Sequence, residues 1–394
     1  MTVPTIRVRE IAEQIRGVTF AKADAISERQ SDYVPVIRAG NIQDGNLVFA
    51  DLLFVPRHRV ASKQRLRPDD VVITASSGSL ATIGKAARVA GSQFEGTFGA
   101  FLKVLRPSDG VHPAYFAHYF QTMQYRRTVA ALAAGANINN LKNEHLDELE
   151  IRLPSFEEQR WIAAILDQAD ALRAKRRQVL AHLDALTQSI FHDMFGRQTW
   201  PVVTAGEIMP SMRNGLSPAT GGQYEATVLT LSAITQGTFD PSSVKQGVFA
   251  MDPPMDKRVT TLDFMMCRGN GNKNLVGAGV FSRQDRADLV FPDTVIAGRV
   301  DPDKVELPFL GMAWKQPDAR GQIDIVARTT NGTYKVNQST LSKVTIPLPP
   351  IELQREFTLR MDVVRAHREV VLQACVGDDD LFTSLQSRAF KGEL

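Results

Sequence analysis

The sequence has 394 residues, of which 43% are hydrophobic and 23% charged, a balance typical of a water-soluble protein with two or three domains. It has neither a run of 18 apolar residues nor a signal-peptide pattern, so we expect no membrane span and a cytoplasmic location. The net charge of +3 permits nucleic-acid binding, but a protein that held DNA through phosphate contacts alone would be more basic.

Residues 1–150 are predicted to form one globular domain. Residues 36–42 and 71–74 have the composition of strands, and turn-forming residues follow them at 44–46 and 76–79. Residues 114–134 predict a helix packed on the sheet. A polar, asparagine-rich loop follows that helix.

Residues 151–196 predict a proline turn followed by one long helix. Pro154 marks the boundary, Ser155 is a suitable cap, and Glu157 and Glu158 fall in the first turn, where the helix dipole favours acids. About 40 residues at about 1.5 Å each would give a helix of about 60 Å.

An apolar stripe with alternating spacings of four and three residues runs along this helix and predicts a coiled-coil seam. Its positions are Ile165, Ala169, Leu172, Arg176, Val179, Leu183, Leu186 and Ile190. The same rhythm returns near the C-terminus at Phe357, Met361, Val364, Arg368, Val371 and Cys375. We therefore expect the two helices to pack antiparallel on each other. The alternative is that each helix packs only on its own domain.

Residues 197–345 are predicted to repeat the first domain, and residues 346–394 the long helix. IPLPPIELQR at 346–355 matches IRLPSFEEQR at 151–160 in six of ten positions, at an offset of 195 residues. Asp70 corresponds to Asp263 in the same repeat. A repeat of half the chain length indicates two copies of one large unit.

The C-terminal copy differs from the first at Gly377, which is followed by three aspartates. If Phe390 is the counterpart of Phe191, the segment from Pro349 to Phe390 is longer than the segment from Pro154 to Phe191. We therefore predict a kink or loop there, with Asp379 or Asp380 capping a short final helix over residues 381–390.

Motifs for catalysis are incomplete. Residues 78–85 resemble a phosphate-binding loop but have one spacer residue too many and lack the following Ser or Thr. Asp252-Pro-Pro-Met resembles an amino-methyltransferase motif without its aromatic residue, and a proline turn is the favoured interpretation. The histidines and the two cysteines show no metal-ligand spacing. We expect no catalytic residues and no metal site.

Two diverged segments, each followed by a Leu-Pro-x-x-Glu-x-Gln-Arg turn and a long helix, resemble the specificity (S) subunit of type I restriction-modification enzymes. The resemblance covers the whole chain and includes LTQSIFHDMFG at 186–196 and SLQSRAFKGEL at 384–394. It implies an α+β fold with an internal pseudo-two-fold repeat, in which two mixed α/β target-recognition domains are separated by two long antiparallel coiled-coil helices.

The resemblance also implies a function. Each globular segment would read one half of a bipartite double-stranded DNA target, and the helices would set the spacing and bind two methyltransferase (M) subunits, with restriction (R) subunits completing the complex. The chain would be non-catalytic and bind no cofactor itself, because S-adenosylmethionine, ATP and Mg would belong to its partners. One added helical turn would move a target-recognition domain by about 5.4 Å, near 1.6 base-pair steps along the DNA axis.

Polar loops paired by the repeat are the predicted DNA-binding sites, since Ser, Thr, Asn, Lys and Arg read base edges. In the first domain they are Ser76, Ser77, Ser79, Thr82, Lys85, Asn137, Asn139, Asn140 and Lys142. In the second they are Arg268, Asn270, Asn272, Lys273, Asn274, Arg328, Thr329, Asn331 and Lys335. The alternative for each residue is a solvated turn or a capping role.

The predicted partner-binding residues are Phe156, Gln159 and Trp161, at the exposed side of the first proline turn and helix start. For Trp161 the alternative is packing under its own domain. Two other functions stay open at this point: a stand-alone dimeric DNA-binding regulator or inhibitor that associates through residues 165–190, and a nuclease with an unrecognised site.

Overall fold

A computed structural model of the chain describes residues 3–91, 94–134, 140–219, 221–330 and 332–394. The chain divides into two compact units. Unit 1 comprises Met1–Gln178 and Val371–Leu394, and unit 2 comprises Val179–Val370. Within the described ranges, no helix is both long enough and apolar enough to cross a membrane.

Unit 1 is a mixed α/β fold of short strands and helices. Its strands are β1 (Thr5–Arg7), β2 (Ala12–Arg16), β3 (Tyr33–Ile37), β4 (Ile42–Gln43), β5 (Asn46–Leu47), β6 (Leu53–Pro56), β7 (Val71–Thr74), β8 (Ala86–Arg88), β9 (Thr97–Phe98), β10 (Leu102–Pro107) and β11 (Glu150–Arg152). Its helices are α1 (Val8–Ile11), α2 (Pro113–Tyr119), α3 (Met123–Ala134), α4 (Asn143–Asp147) and the first part of α5 (Phe156–Phe195).

A four-stranded sheet in the order β2-β10-β7-β8 forms the centre of unit 1. Successive side chains of β7 point to opposite faces of this sheet. Val71 and Ile73 therefore join the core beneath α2 and α3, whereas Val72 joins a second core on the other face. Both faces are covered, which explains why this strand is a continuous apolar run rather than an alternating one.

Local predictions in unit 1 are partly confirmed. The predicted strand 36–42 is wrong, because these residues form the end of β3, a 3-10 turn over Ala39–Asn41 and the start of β4. The strand at 71–74 is β7, and Asp44 and Gly45 have the positive φ angles of a tight turn between β4 and β5. The predicted helix 114–134 is instead two helices, α2 and α3. The break follows from Thr122, whose side-chain oxygen accepts the backbone N–H of Tyr125 and starts a new helix.

Unit 2 repeats this plan. Its strands are β12 (Val202–Thr204), β13 (Ser211–Asn214), β14 (Tyr224–Leu229), β15 (Val244–Phe249), β16 (Arg258–Val259), β17 (Asp263–Cys267), β18 (Gly269–Asn270), β19 (Gly279–Phe281), β20 (Arg286–Val290), β21 (Val295–Arg299), β22 (Arg328–Thr330), β23 (Thr333–Lys335) and β24 (Thr345–Pro347). Its helices are α6 (Ala205–Ile208), α7 (Ser232–Thr235), α8 (Leu307–Ala313), α9 (Pro317–Val326), α10 (Gln338–Leu341) and the first part of α11 (Ile351–Lys391).

The sheet orders confirm the internal repeat. The central sheet of unit 2 has the order β13-β21-β17-β19, which matches β2-β10-β7-β8 strand for strand. The pair β12-β24 corresponds to β1-β11, and both pairs lead directly into a long helix. The repeat detected in the sequence is therefore a repeat of topology.

The proline turn caps α5 as predicted. The side-chain oxygen of Ser155 accepts the backbone N–H of Glu158 at 3.3 Å. Helix α5 then continues without a break to Phe195.

Within each unit, α5 and α11 pack antiparallel. In unit 1, Arg173 of α5 pairs with Asp379 of α11 at 2.6 Å. In unit 2, Arg368 of α11 pairs with Asp184 of α5 at 2.9 Å. Phe357 at the start of α11 meets Phe191 near the end of α5, with ring centroids 5.6 Å apart.

The predicted seam of α5 is only half correct. Ile165, Ala169, Arg176, Leu183 and Ile190 are half-buried, but Leu172, Val179 and Leu186 are 42%, 43% and 43% exposed. The neighbouring residues Arg173, Leu180 and Thr187 take the inner positions instead. By contrast, the seam predicted for α11 is confirmed, since its six positions are all buried or half-buried.

The predicted break at Gly377 is wrong, because α11 is one helix from Ile351 to Lys391. Instead of capping a new helix, Asp378 pairs with Arg176, and Asp379 pairs with Arg173 and Arg177. These ion pairs hold the segment against α5. The pattern of burial aligns Phe390 with Phe195 rather than with Phe191, so the two long helices keep the offset of 195 residues and α11 has no insertion.

Candidate nucleic-acid interface

Unit 1 brings its two predicted DNA-binding loops together. Just beyond β7, Ser76 pairs with Asn140 in an isolated antiparallel bridge. The backbone N–H of Leu141 donates to the carbonyl of Ala75 at 2.7 Å. Two segments more than sixty residues apart in the chain thus form one surface.

The other predicted residues of unit 1 are distributed around this bridge. Ser79 and Lys85 are exposed, while Ser77 and Thr82 are half-exposed. The hydroxyl of Ser77 accepts the backbone N–H of Ser79 at 3.2 Å, so this side chain also stabilises the turn. Lys142 is exposed at the start of α4. The predictions for Asn137 and Asn139 fall outside the described residues.

Sequence analysis missed two apolar side chains beside this surface. Phe101 is 69% exposed, and its carbonyl accepts the backbone N–H groups of both Ala75 and Ser76. Leu80, in the adjacent loop, is 47% exposed. The available signal was an aromatic residue between a Gly-Ala turn and a strand, but exposure could be established only from the fold. Large exposed apolar side chains often mark a binding surface.

A buried lysine lies under the same loop. Lys103 of β10 is 6% exposed, and its Nζ donates to the carbonyl of Leu141 at 2.7 Å. Burial, assisted by the positive charge of Arg16, lowers the pKa of Lys103 to about 8. The corresponding residue of unit 2 is Ile296, which has no side-chain donor. The hydrogen bond made by the Lys103 side chain therefore has no counterpart at this position of unit 2.

Unit 2 joins its two predicted loops more extensively. They form a three-stranded sheet in the order β18-β23-β22, in which Gly269 and Arg328 both pair with Lys335. The backbone N–H of Val336 donates to the carbonyl of Arg268 at 2.9 Å. The sheet therefore starts where β17 ends, at the position that corresponds to the Ser76–Asn140 bridge in unit 1.

Exposed cations and amides cover this small sheet. Arg328, Thr329, Lys335, Asn272 and Asn274 are exposed. The Nζ of Lys273 lies 5.9 Å from the ring centre of Tyr334. The prediction for Asn331 falls outside the described residues.

Some predicted side chains in unit 2 also have structural partners. Arg268 pairs with Asp293 at 2.7 Å. The side-chain oxygens of Asn270 and Asn272 accept the backbone N–H groups of Asn272 and Asn274. These side-chain amides therefore stabilise the conformation of the loop through hydrogen bonds to its backbone.

Each unit supports its surface with a buried ion pair in the central sheet. Asp70 is fully buried and accepts two hydrogen bonds from Arg106, at 2.7 and 2.8 Å. Its counterpart Asp263 accepts from Arg213 at 2.8 Å and from Arg299 at 3.4 Å. Asp263 is the first residue of β17 and Asp70 immediately precedes β7, so an equivalent ion pair lies at the start of the strand that leads to the polar loops in each unit.

The predicted partner surface is partly corrected. Phe156 and Trp161 are 47% and 53% exposed, and their binding to a partner stays a prediction. Gln159 is not on the surface, because only 1% of it is exposed. Its amide accepts the backbone N–H of His112 and donates to the carbonyl of Pro154, so it ties the first turn of α5 to the start of α2.

Gln354 makes the same connection in unit 2. It accepts from the backbone N–H of Glu306 at 3.0 Å and donates to the carbonyl of Pro349 at 2.8 Å. The glutamine of the repeated turn motif therefore has a structural role in both units. Among the described residues, no group of three or more His, Cys, Asp or Glu side chains is arranged to hold a metal ion.

The chain contains two copies of one scaffold, and each copy presents polar loops joined by backbone pairing. A family model described as the type I restriction modification DNA specificity domain matches residues 2–182. The chain is 30% identical over 416 aligned positions to the EcoKI specificity subunit of Escherichia coli K12, covering 98% of this chain and 88% of that protein.

A second relative, the StySPI specificity subunit of Salmonella potsdam, is also 30% identical, with 99% of this chain and 89% of that protein covered. The chain therefore belongs to the family of type I restriction enzyme specificity subunits.

Solved structures share the fold. One is a chain from work on complex assembly and conformational transition of the type I R-M system, with a TM-score of 0.58, 16% identity and complete coverage of both chains. Another is the S subunit of a type I restriction-modification system from M. genitalium, with a TM-score of 0.56, 13% identity, and 99% and 96% coverage. The predicted α+β fold is confirmed.

Proposed function

We propose that this specificity subunit reads a bipartite double-stranded DNA target, with one half-site read by each unit, and positions two methyltransferase subunits and the restriction subunits on it. The observation that carries the proposal is the repeated scaffold with diverged loop residues. Identical strand orders place polar loops at equivalent positions, but the side chains differ. Two surfaces of the same build and different chemistry suit two different half-sites.

The chemistry of each surface supports base reading. The surface around the Ser76–Asn140 bridge contains serine, asparagine and the exposed lysines Lys85 and Lys142, whereas the sheet of unit 2 adds an exposed arginine, Arg328, beside Lys335. Arginine and lysine favour guanine in the major groove, and asparagine favours adenine. We expect the half-site read by unit 2 to depend more on guanine than the one read by unit 1.

The modest net charge of +3 supports a dependence on partners. Phosphate contacts supply most of the sequence-independent affinity for DNA and require many cations. The isolated chain should therefore bind DNA weakly, and its complex with the methyltransferase should bind tightly.

Exposed apolar side chains on the long helices support docking of partners. In unit 1, Leu372, Val376 and Leu381 of α11 are 37%, 63% and 52% exposed. In unit 2, Leu359, Val363 and Val370 of the same helix are 68%, 58% and 67% exposed. Each unit thus offers apolar helix surface of its own, in keeping with two methyltransferase subunits.

In this proposal the chain has no catalytic role. S-adenosylmethionine would bind to the methyltransferase subunits, and ATP and Mg to the partner subunits of the complex. Purified chain should accordingly show no methyl transfer, and activity should appear when the methyltransferase is added.

The test is single-molecule sequencing of adenine methylation in cells that express the chain with its neighbouring methyltransferase. We expect a bipartite motif that disappears with the gene. Ser76→Ala with Asn140→Ala should relax only one half-site, and Arg328→Ala with Lys335→Ala only the other, by about 1–3 kcal/mol per lost base contact.

Lys343→Ala serves as the control, because this exposed lysine lies outside the polar sheet of unit 2. It should leave the motif unchanged. If both loop variants altered the same half-site, the assignment of one half-site to each unit would be wrong. A methylated motif without an internal gap would contradict the proposal that the DNA target is bipartite.

A further inference from the structure

Unit 2 contains a half-open cleft of about 690 Å³ at the side of its two helix segments. Phe281, Met312, Met361 and Val364 provide apolar walls. The cationic side chains that line it are Arg283, Arg286, Lys315, Arg365 and Arg368. A volume of this size is typical of a site that receives a ligand or a partner side chain.

Unit 1 shows how the equivalent position is filled. Phe382 of α11 is 5% exposed and lies beneath Arg173, whose guanidinium is 4.3 Å from the ring centre. Arg173 is held in place by Asp379 at 2.6 Å, and the ring also contacts His118 of α2. The chain thus fills this position of unit 1 with its own aromatic ring.

The 195-residue offset identifies the corresponding residues of unit 2. Arg368 corresponds to Arg173 and pairs with Asp184, the counterpart of Asp379, at 2.9 Å. The arginine and its aspartate are therefore retained. The counterpart of Phe382 is Thr187, which lines the cleft and lacks a ring. Unit 2 keeps the arginine that covers the ring but not the ring.

The charge of the cleft indicates what accompanies the missing ring. Five cations line it against two acidic side chains, Asp184 and Glu369, while Asp362 and Asp288 bond to Arg283 and Arg286 from outside the lining. Arg365 is paired as well, with Glu369 at 2.8 Å and Asp362 at 3.5 Å. The fifth cation, Lys315, donates to the carbonyl of Gly237 at 2.9 Å instead. Five cations thus face four carboxylates, and a negatively charged occupant would balance the excess positive charge.

We propose that this cleft receives an aromatic side chain, flanked by acidic residues, from the methyltransferase subunit that docks on unit 2. The inserted ring lies under Arg368 as Phe382 lies under Arg173. This inference rests on the proposed function. It makes the two docking sites unequal, because unit 1 supplies the ring itself and unit 2 takes it from its partner.

The decisive variant is Thr187→Phe, which supplies the ring from within the chain. Native mass spectrometry of the full-length chain co-expressed with the methyltransferase should then show loss of one methyltransferase subunit, or at least tenfold weaker binding of the second. Thr187→Val is the matched control, because it replaces the hydroxyl by a methyl group without filling the cleft. This variant should still bind two methyltransferase subunits.

Unchanged binding of both subunits to the Thr187→Phe chain would overturn the inference and leave the proposed function intact. If the wild-type chain bound no methyltransferase, the proposed function would fall together with the inference. Thermal unfolding of the free variant shows whether it folds.

A second measurement does not depend on filling the cleft. In a Cys375→Ser background, Thr187→Cys places a thiol at the cleft wall, while Cys267 is buried. Maleimide labelling should be at least tenfold slower in the complex than in the free chain. Equal labelling rates would also overturn the inference.

Discussion

At the scale of single residues, the polar loop surface of unit 1 contains polar side chains together with apolar side chains that composition alone would place in a core. Phe101 is the main example, since it is 69% exposed beside Ser76. Lys103 is the reverse case, a charged residue buried beneath the same loop. Both were found only because the fold places residues 75–76, 101–103 and 140–141 together.

We predict that Phe101→Ala weakens target binding by the complex about 5- to 150-fold, because apolar contact of the ring with a thymine methyl group in the major groove would be lost, and a lost base contact costs about 1–3 kcal/mol. Fluorescence anisotropy with target DNA measures the change. Phe101→Trp should retain affinity, and Met123→Ala, which removes another exposed apolar side chain of unit 1, should have no effect. An unchanged affinity for Phe101→Ala would exclude a contact between this ring and DNA.

Lys103 predicts a pH dependence of stability. Its pKa is about 8 in the folded chain and 10.5 in the unfolded chain, so the unfolded state binds more protons between these values. The stability of unit 1 should therefore rise between about pH 8 and 10.5, by at most about 3 kcal/mol, and stay flat with respect to this group below pH 8.

Hydrogen exchange of the amides of β10 and Leu141, followed from pH 7 to 10, measures this rise after correction for the intrinsic exchange rate. Lys103→Met removes the titrating group and should remove the rise. Parallel pH profiles for the two proteins would show that Lys103 is not the cause.

At the scale of elements, the two long helices show how tertiary contacts change the effect of local sequence. Gly377 and the aspartates after it predict a helix end, yet α11 continues through them. Arg173, Arg176 and Arg177 on α5 meet those aspartates, and these ion pairs keep the segment helical. The same contacts explain why Arg173, rather than Leu172, takes the inner position of α5.

Gly377→Ala should stabilise the protein by about 1 kcal/mol, because glycine is that much poorer than alanine within a helix. The site is open, with nothing within 4 Å of the added Cβ. Gly392→Ala is the contrasting variant: its φ is +82° and the new Cβ would collide with Arg152, so it should destabilise. Differential scanning calorimetry compares them. Destabilisation by Gly377→Ala would indicate that the helix requires flexibility there.

At the scale of the whole molecule, the proposed function assigns one half-site to each unit and the spacing between half-sites to the two long helices. Both helices contribute one segment to each unit, so a change of helix length acts on both units. A heptad insertion preserves the 4-3 rhythm of the seam, whereas a shorter insertion rotates it.

We predict that inserting one heptad into both α5 and α11 lengthens the gap between the half-sites by about three base pairs, since seven residues rise about 10.5 Å. The half-site bases should not change. Methylation sequencing of cells carrying the variant gives both results at once. Active methylation with the original spacing would show that the helices do not set the gap.

The sequence by itself determined the repeat, the two proline turns, the helices after them, the seam of α11 and the family. These features follow from local composition and periodicity, which act over a few residues and recur at an offset of 195. It also matched the polar loops of one unit with their counterparts in the other, whereas only the fold showed that the two loops within each unit are neighbours.

Only the tertiary structure decided which face of α5 is inward, why α11 does not break, and that Gln159 is buried. It alone decided that Phe101 is exposed and that unit 2 has an open cleft where Phe382 fills unit 1. Each of these depends on contacts between residues far apart in the chain. Such contacts decide which of several locally acceptable positions a side chain takes, because the burial of apolar surface contributes more free energy than local preference.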